Sequence, residues 1–506
     1  MSLSLRPIRF LHRGRIAEVQ GLAVRTTVLD WLRGEGAGSG TKEGCAEGDC
    51  GACTVVVGEL DAAGELKLRP VNACIRFLPT LDGKALFTVE DLKAIGGGEL
   101  HPVQQALVDH HGSQCGFCTP GFAMSLLATY ERGCAAGQSP SRSEIANDLA
   151  GNLCRCTGYR PILDAGEAMF ERPPVPLARA PVIAALRQLQ LDPPLAIEAT
   201  DPATGRCARF EAPRTLAELA RLRQQAPAAR LLAGGTDIGL WVTKQFRDLG
   251  DIHYLGEVAE LKRIATDAAG LEIGAAVALE DGWAAIVALW PELRELWLRF
   301  AGPPVRQAGT LVGNLANGSP IGDAAPALMA LGATLVLRRG GELRELALEA
   351  FYLAYMKNAL APGEFVQAVR VPARRAGEQL RVWKISKRFD CDISALVGAF
   401  QLQLDEAGAV QRVRIAFGGM AATVRRAPLA EAALQGQPWS EATLLRAQAA
   451  LALDYQPIDD LRASRDYRQQ VAGGLLERLW LETRPDAPLA AAGLSVWSAA
   501  PVALDR

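Results

Sequence analysis

The sequence predicts an α+β chain of several domains, and three observations carry that expectation. At 506 residues, a soft prior of about 150 residues per domain gives three or four domains. The texture changes along the chain: short strands with one helix before residue 88, helical signals between 114 and 161, mixed strands and helices after about 208. Eight of the 11 cysteines fall into two clustered sets. Composition is ordinary for globular proteins, with 49% hydrophobic and 22% charged residues. The formal net charge of −2 supplies no basic field, so no nucleic-acid partner is expected. Met1–Pro7 has no apolar run ahead of its charges, so no signal peptide is expected. The longest uncharged apolar run, near Ala324–Leu337, is too short for a bilayer, so no membrane partner is expected either. Cysteines without an export signal point to metal or redox use rather than disulfides. Cys134, Cys207 and Cys391 stand apart and are expected to be buried, inert thiols.

In chain order, Ile8-Arg9-Phe10 and Glu18-Val19-Gln20 read as a hairpin around Arg13-Gly14. Thr27 caps a short helix carrying Val28, Leu29, Trp31 and Leu32. The glycine-rich run Gly34–Lys42 fits neither G-x-G-x-x-G nor G-x-x-x-x-G-K-[ST], so it is not a nucleotide loop. Cys45, Cys50 and Cys53 follow, then the strand Thr54–Val57, with Cys74 after 20 further residues. The spacing C-x4-C-x2-C…C is the plant-type [2Fe–2S] pattern. Gly44, Gly48 and Gly51 let the backbone bring N–H donors close to sulfur. A zinc ribbon more often pairs its ligands in two C-x2-C knuckles.

The second set is Cys115 and Cys118, then 35 residues, then Cys154 and Cys156. Four thiols in two tight pairs hold either one Zn²⁺ or one iron–sulfur cluster, and spacing alone leaves both open. Thr119 is expected to cap a helix with Pro120 in its first turn, and Phe122, Leu126, Leu127 and Tyr130 recur at helical spacing. Ser141 or Ser143 caps a second helix through Ile145 and Leu149, closed by Gly151. The thiols then lie near helix ends, whose partial positive charge at the N-terminus suits an anionic centre. From Glu171 to about Pro202 the chain is Pro- and Ala-rich and reads as a linker with a short helix at Ala184–Leu191.

Beyond it, Thr215 and Glu218 form a capping box. The strand at Arg230–Ala233 runs into Gly234-Gly235-Thr236-Asp237, whose exposed N–H groups can hold a pyrophosphate or simply make a tight turn. A second such loop, Gly309–Asp323, carries Asn, Ser and Asp side chains able to bind a diphosphate and a ribose hydroxyl. Strands including Val413–Phe417 and helices through Leu444–Leu453 and Asp466–Glu482 complete the chain.

The first set together with QCGFCTPG and GNLCRCTGYRP resembles the molybdenum hydroxylases, the xanthine dehydrogenase and aldehyde oxidase family. The resemblance implies a β-grasp [2Fe–2S] ferredoxin domain at 1–88 and a four-helix [2Fe–2S] domain at 89–170. A linker at 171–205, an α+β FAD-binding domain at 206–378, an α+β C-terminal flavoprotein cap domain at 379–485 and a tail at 486–506 follow. It implies cluster ligands Cys45, Cys50, Cys53 and Cys74, then Cys115, Cys118, Cys154 and Cys156. It implies FAD contacts at Leu231, Leu232, Ala233, Gly234, Gly235, Thr236, Asp237 and Ile238, and at Phe300, Asn314, Asn317, Ser319, Asp323, Val366 and Lys384. In that family the aspartate of the second loop holds the adenosine end. The segment Lys384–Ile393 resembles the loop over the isoalloxazine, with Cys391 where vertebrate members carry an acid.

Vertebrate members continue into a large molybdopterin domain that has no counterpart here. The resemblance therefore implies a cytoplasmic α2β2 assembly with a large molybdopterin-binding subunit that oxidises hypoxanthine and xanthine to urate. Electrons would reach NAD⁺ through both clusters and FAD, and no catalytic acid–base residue is expected in this chain. A partner acting on aldehydes or N-heterocycles, a stand-alone flavin diaphorase and a non-enzymatic iron–sulfur module are the competing readings.

Overall fold

The computed structural model describes residues 3–36, 38–490 and 494; most of the expected tail at 486–506 lies outside them. The described residues begin with a sheet ordered Arg15–Val19, Ile8–His12, Ala85–Phe87, Thr54–Leu60, Leu66–Asn72. Ile8–His12 and Ala85–Phe87 run parallel, and the other pairs are antiparallel. Alternation forces side chains of one strand to opposite faces, and both faces of this sheet are covered. Phe10, Val55 and Val57 share a cluster with Phe210, Leu232 and Ile252 of the flavin-side sheet. Leu11, Val56 and Phe87 pack instead with Phe122, Leu126 and Leu127 of the helical segment. The ferredoxin-like sheet is thus the middle layer of the chain.

The helical segment consists of Pro102–Asp109, Thr119–Ala136, Arg142–Asp148 and Arg160–Ala168. Ser141 and Glu144 make the capping box that starts Arg142–Asp148. Two local expectations fail here. Cys118, not Thr119, takes the cap position of the long helix, because the Thr119 hydroxyl donates to Ser113 Oγ at 2.7 Å. Leu149, not Gly151, is the C-cap of Arg142–Asp148.

The stretch 171–205 is mostly structured. Val175 N donates to the Tyr130 hydroxyl and Leu177 N to Glu131 Oε1, fastening it to the long helix. The helix Arg179–Gln190 covers the ferredoxin-like sheet. Leu195–Thr200 pairs with Cys207–Ala212 in the flavin-side sheet; the Pro193-Pro194 punctuation hides this strand in the sequence.

Two sheets build the flavin-side region. One runs Leu195–Thr200, Cys207–Ala212, Ile252–Tyr254, Arg230–Leu232; the other runs Ile264–Asp267, Gly270–Gly274, Phe365–Pro372, Thr334–Arg339, Glu342–Ala347. The last sheet, Gln379–Ile385, Leu396–Leu404, Val410–Gly418 and Arg425–Arg426, packs its own core with helices Pro428–Leu434, Glu441–Asp454 and Arg465–Thr483. Cys207 is exposed, and Cys134 and Cys391 are only partly covered, so none of the three is the buried thiol expected.

Candidate functional site: two cysteine centres and a glycine-turn region

The first cysteine set is assembled by the loop 42–53 and the turn that follows Leu66–Asn72. Cys53 and Cys74 are buried, with their sulfurs 3.3 Å apart. The Glu47 and Cys50 amides each reach Cys45 Sγ at 3.4 Å, and Asn72 Nδ2 reaches Cys53 Sγ at 3.9 Å. Hydrogen bonds from Cys50 and Cys74 draw the Cys45 thiol far below its usual range. The Cys74 hydrogen bond draws Cys53 down. Cys50 and Cys74 move up for the complementary reason, each donating to a neighbouring sulfur inside a partly dry site. Four sulfurs in mutual contact, with N–H groups directed at Cys45 and Cys53, suit an anionic thiolate-held cluster.

The second set sits at two helix starts: Cys115 and Cys118 before Thr119–Ala136, and Cys154 and Cys156 before Arg160–Ala168. Burial, followed by the neighbouring Cys154, pushes the Cys118 thiol up to about 12. Burial also opposes ionisation of Cys154, but the Thr157 hydroxyl, 3.2 Å away, and nearby amides outweigh it. Cys115 and Cys156 are exposed, beside the exposed rings of Phe117 and Tyr159. The described residues hold no group of three His, Cys, Asp or Glu side chains closed around a single-ion position; in the first set the sulfur contacts run in a chain, Cys50 to Cys45 to Cys74 to Cys53.

The two sets touch through backbone. Leu153 N, next to Cys154, donates to Cys50 O at 2.9 Å. Asn152 is buried; its Nδ2 donates to Gly51 O at 3.0 Å, and its Oδ1 accepts from Ser125 Oγ at 2.6 Å. A Cβ at Gly51 would stand 2.2 Å from Gly151 O, so only glycine permits this approach. Asn152 and Gly51 lie far apart in sequence, and nothing local signals their pairing.

The flavin residues converge in part. The turn Ala233–Asp237 and the segment 308–310 meet back to back: a Cβ at Gly234 would lie 2.0 Å from Ala308 O. The second expected loop is in part a helix, Leu311–Asn317, which the Thr310 side chain caps by accepting from Gly313 N. Asn317 hydrogen-bonds Asp237. Asn314 Oδ1 is buried with no partner, and Gly235 is left-handed at φ 75°. An orphaned acceptor beside a glycine cradle fits a bound dinucleotide. In that fit Gly234, Gly235, Thr236, Asn314 and Asn317 would hold it, with Ser319 close by, whose hydroxyl accepts from Ile321 N at 3.4 Å. Leu231 and Leu232 lie on the strand entering the turn and Ile238 starts the helix leaving it. Phe300 and Val366 are buried in the core of this region.

Asp323 is held inside the chain: its Oδ2 accepts from Lys384 Nζ at 2.6 Å and its Oδ1 from Ser394 Oγ at 2.6 Å, and each carboxylate oxygen keeps a further lone pair for a second donor. Lys384 Nζ also donates to Arg299 O. Arg299 in return donates to Lys384 O, Phe389 O and Ser386 Oγ, and its guanidinium lies over the Phe389 ring. This buried knot pins the segment 384–394 onto the flavin region. Ser394 and Arg299 went unnoticed in the sequence, although Arg299 directly precedes Phe300. Cys391, at φ 48°, reaches Ala150 O at 2.7 Å, so this segment touches the helical domain as well.

Comparison with known proteins agrees with this layout. Residues 12–77 match an iron–sulfur cluster binding domain, 88–167 a [2Fe-2S] binding domain, 206–374 the FAD binding domain in molybdopterin dehydrogenase, and 381–483 the CO dehydrogenase flavoprotein C-terminal domain. Xanthine dehydrogenase of Emericella nidulans is 33% identical over 88% of this chain and 36% of its own. Xanthine dehydrogenase/oxidase of Mus musculus is 32% identical over 88% of this chain and 36% of its own. The chain thus spans about a third of the length of these relatives. A solved carbon monoxide dehydrogenase chain from Hydrogenophaga pseudoflava superposes with TM-score 0.50 at 29% identity, covering 53% of this chain and 94% of that one. With these four domains matched in this order, the chain belongs to the molybdenum hydroxylase family and carries its iron–sulfur and flavin portion.

Proposed function

We propose that the chain is the electron-transfer subunit of an NAD⁺-dependent xanthine dehydrogenase, carrying electrons from a partner-held molybdenum cofactor through two [2Fe–2S] clusters to FAD. The observation that carries this reading is continuity. Cys50 O accepts from the amide next to Cys154, and Ile75, next to Cys74, packs against Gly235 and Gly239 beside the flavin turn. The clusters and flavin supply one- and two-electron chemistry when bound; the chain's residues hold them in line and exclude water between them. Cys45, Cys50, Cys53 and Cys74 would ligate one cluster, and Cys115, Cys118, Cys154 and Cys156 the other.

The partner side of this proposal rests on exposure. Cys115 and Cys156 are open to solvent next to Phe117 and Tyr159, which suits entry of electrons from another chain. Xanthine as substrate is supported by the relatives named xanthine dehydrogenase; the substrate pocket, NAD⁺ and an α2β2 stoichiometry belong to the same proposal. No described helix is long and apolar enough to cross a membrane, and a cytoplasmic site of action is part of the reading. Purified protein should contain about four Fe and one FAD per chain. Co-expressed with a molybdenum-bearing partner, it should reduce NAD⁺ when xanthine is added. Zinc in place of iron without flavin absorbance overturns the reading. NADH oxidation by the chain alone, with no molybdenum chain copurifying, replaces it with a diaphorase.

A further inference from the structure

The helix Ile238–Thr243 leaves the first glycine turn and lies directly on the ligand loop of the first cysteine set. Three contacts made by consecutive parts of it join the two. A Cβ at Gly239 would stand 2.6 Å from Ile75 O and 2.7 Å from Ile75 Cβ, so this glycine lets the chain beside Cys74 approach. Thr243 Oγ1 donates to Ala46 O at 2.7 Å and also lies 3.1 Å from Gly239 O, one helical turn back. Lys244 Nζ, just past the helix, faces Glu47 Oε2 at 4.0 Å.

Ala46 needs such a hold. It is a non-glycine residue at φ 53°, a left-handed conformation that persists only where surroundings enforce it. It stands between Cys45 and the Glu47 and Cys50 amides that both point at Cys45 Sγ. If the loop relaxes at Ala46, those two donors leave the sulfur. N–H donors to sulfur stabilise the more negative, reduced state of a thiolate-held centre.

We propose that Thr243 is a positioning residue for electron transfer: its hydroxyl locks the Cys45–Cys50 loop onto the helix that carries the flavin turn. It thereby fixes both the amide donors of the first centre and the approach of that centre to the flavin. The proposal rests on the electron-transfer reading above.

The test compares Thr243→Val, Thr243→Ser and Gly239→Ala in the full chain by EPR-monitored redox titration and hydrogen–deuterium exchange. Losing one hydrogen bond shifts the locked-to-relaxed balance by about two- to tenfold. In Thr243→Val the potential of the first centre should fall by the equivalent, about 18–59 mV for a one-electron couple. Exchange at the Glu47 and Cys50 amides should quicken by the same factor, while the signal of the second centre stays in place. Thr243→Ser restores both values, and Gly239→Ala, which pushes the Cys74–Ile75 chain outward, moves the same signal. Unchanged potential and exchange in Thr243→Val, with wild-type iron and flavin content, overturn the proposal. So does a shift that Thr243→Ser fails to restore. Wild-type protein with no iron–sulfur signal overturns the electron-transfer reading itself, which separates the two failures.

Discussion

The two cysteine sets serve one family pattern in opposite surroundings. The first is the more enclosed: Cys53 and Cys74 belong to a core shared by the ferredoxin-like sheet and the flavin-side sheet, and Cys45 and Cys50 are partly covered. The second opens outward on one side, with Cys154 buried but Cys115 and Cys156 exposed at helix starts. Ion pairing differs between the two iron–sulfur regions as well. From the ferredoxin-like sheet, Arg69 bridges Glu59, Asp281 and Gln307, and Lys84 pairs with Glu257, so both reach the flavin-side region. In the helical region, pairs such as Arg132–Asp148 join its own residues to one another. In the proposed electron path, the more enclosed centre between two domains would act as an internal relay and the more exposed one as a port.

The largest expected effect comes from removing one ligand on each side. Cys53→Ala and Cys156→Ala should each lower iron from about four to about two per chain. Cys53→Ala should also release flavin, because its loop and the flavin turn share a core, whereas Cys156→Ala should keep it. Flavin-to-iron ratios on the purified variants check this, and equal flavin retention in both breaks the relay–port distinction.

Asp323→Ala comes next, on the relay side. It strands the Lys384 ammonium, whose side chain is only 2% exposed, and removing one partner of a buried pair costs about 3–5 kcal/mol. Denaturant unfolding should show that loss together with weaker flavin retention, and Asp323→Leu combined with Lys384→Met should recover most of the stability. If Asp323→Ala lost flavin at unchanged stability, the carboxylate would instead be a direct flavin contact.

Asn152→Ala tests the seam between relay and port. It strands the buried Ser125 hydroxyl, at about 1–3 kcal/mol, and takes one donor from Gly51 O, which keeps the Thr54 amide and hydroxyl. Thermal unfolding should register the loss in both iron–sulfur domains at once; a change confined to the helical domain would mean the two are not coupled there.

The smallest effect is acid sensitivity of the relay side. Burial pushes the Glu59 carboxyl up, but the Arg69 and Lys84 charges outweigh it and hold it down to about 2. A depressed carboxylate stabilises the fold above its unfolded value, near 4.5, and that contribution disappears as pH falls toward the folded value. Stability from this group should be flat between pH 7 and 5 and smaller by about 1 kcal/mol at pH 4. Glu59→Gln should abolish that slope in denaturation curves taken across this range.

Much of this arrangement is legible in the sequence, and the legible part is local. The cysteine spacings, the Thr27, Ser141 and Thr215 caps and the glycine turn at 234–235 all rest on residues a few positions apart. Where a local reading fails, a partner it did not include is the cause. Thr119 gives up its cap role to bond Ser113, six residues back. Asp323 bonds residues 61 and 71 positions away, which no local pattern announces. Leu195–Thr200 becomes a strand because Cys207–Ala212 offers it an edge.

Which side chains can hold a cluster and which turns can present N–H groups is set by near neighbours, since bond lengths and turn geometry restrict them to few arrangements. Which set is the more enclosed, and that Asn152, Thr243 and Arg299 join the domains, follows from the packed fold alone. Burial depends on which faces meet across hundreds of residues: the ferredoxin-like sheet has two apolar faces, and covering one with the flavin-side sheet and the other with helices leaves Cys115 and Cys156 at the outer rim.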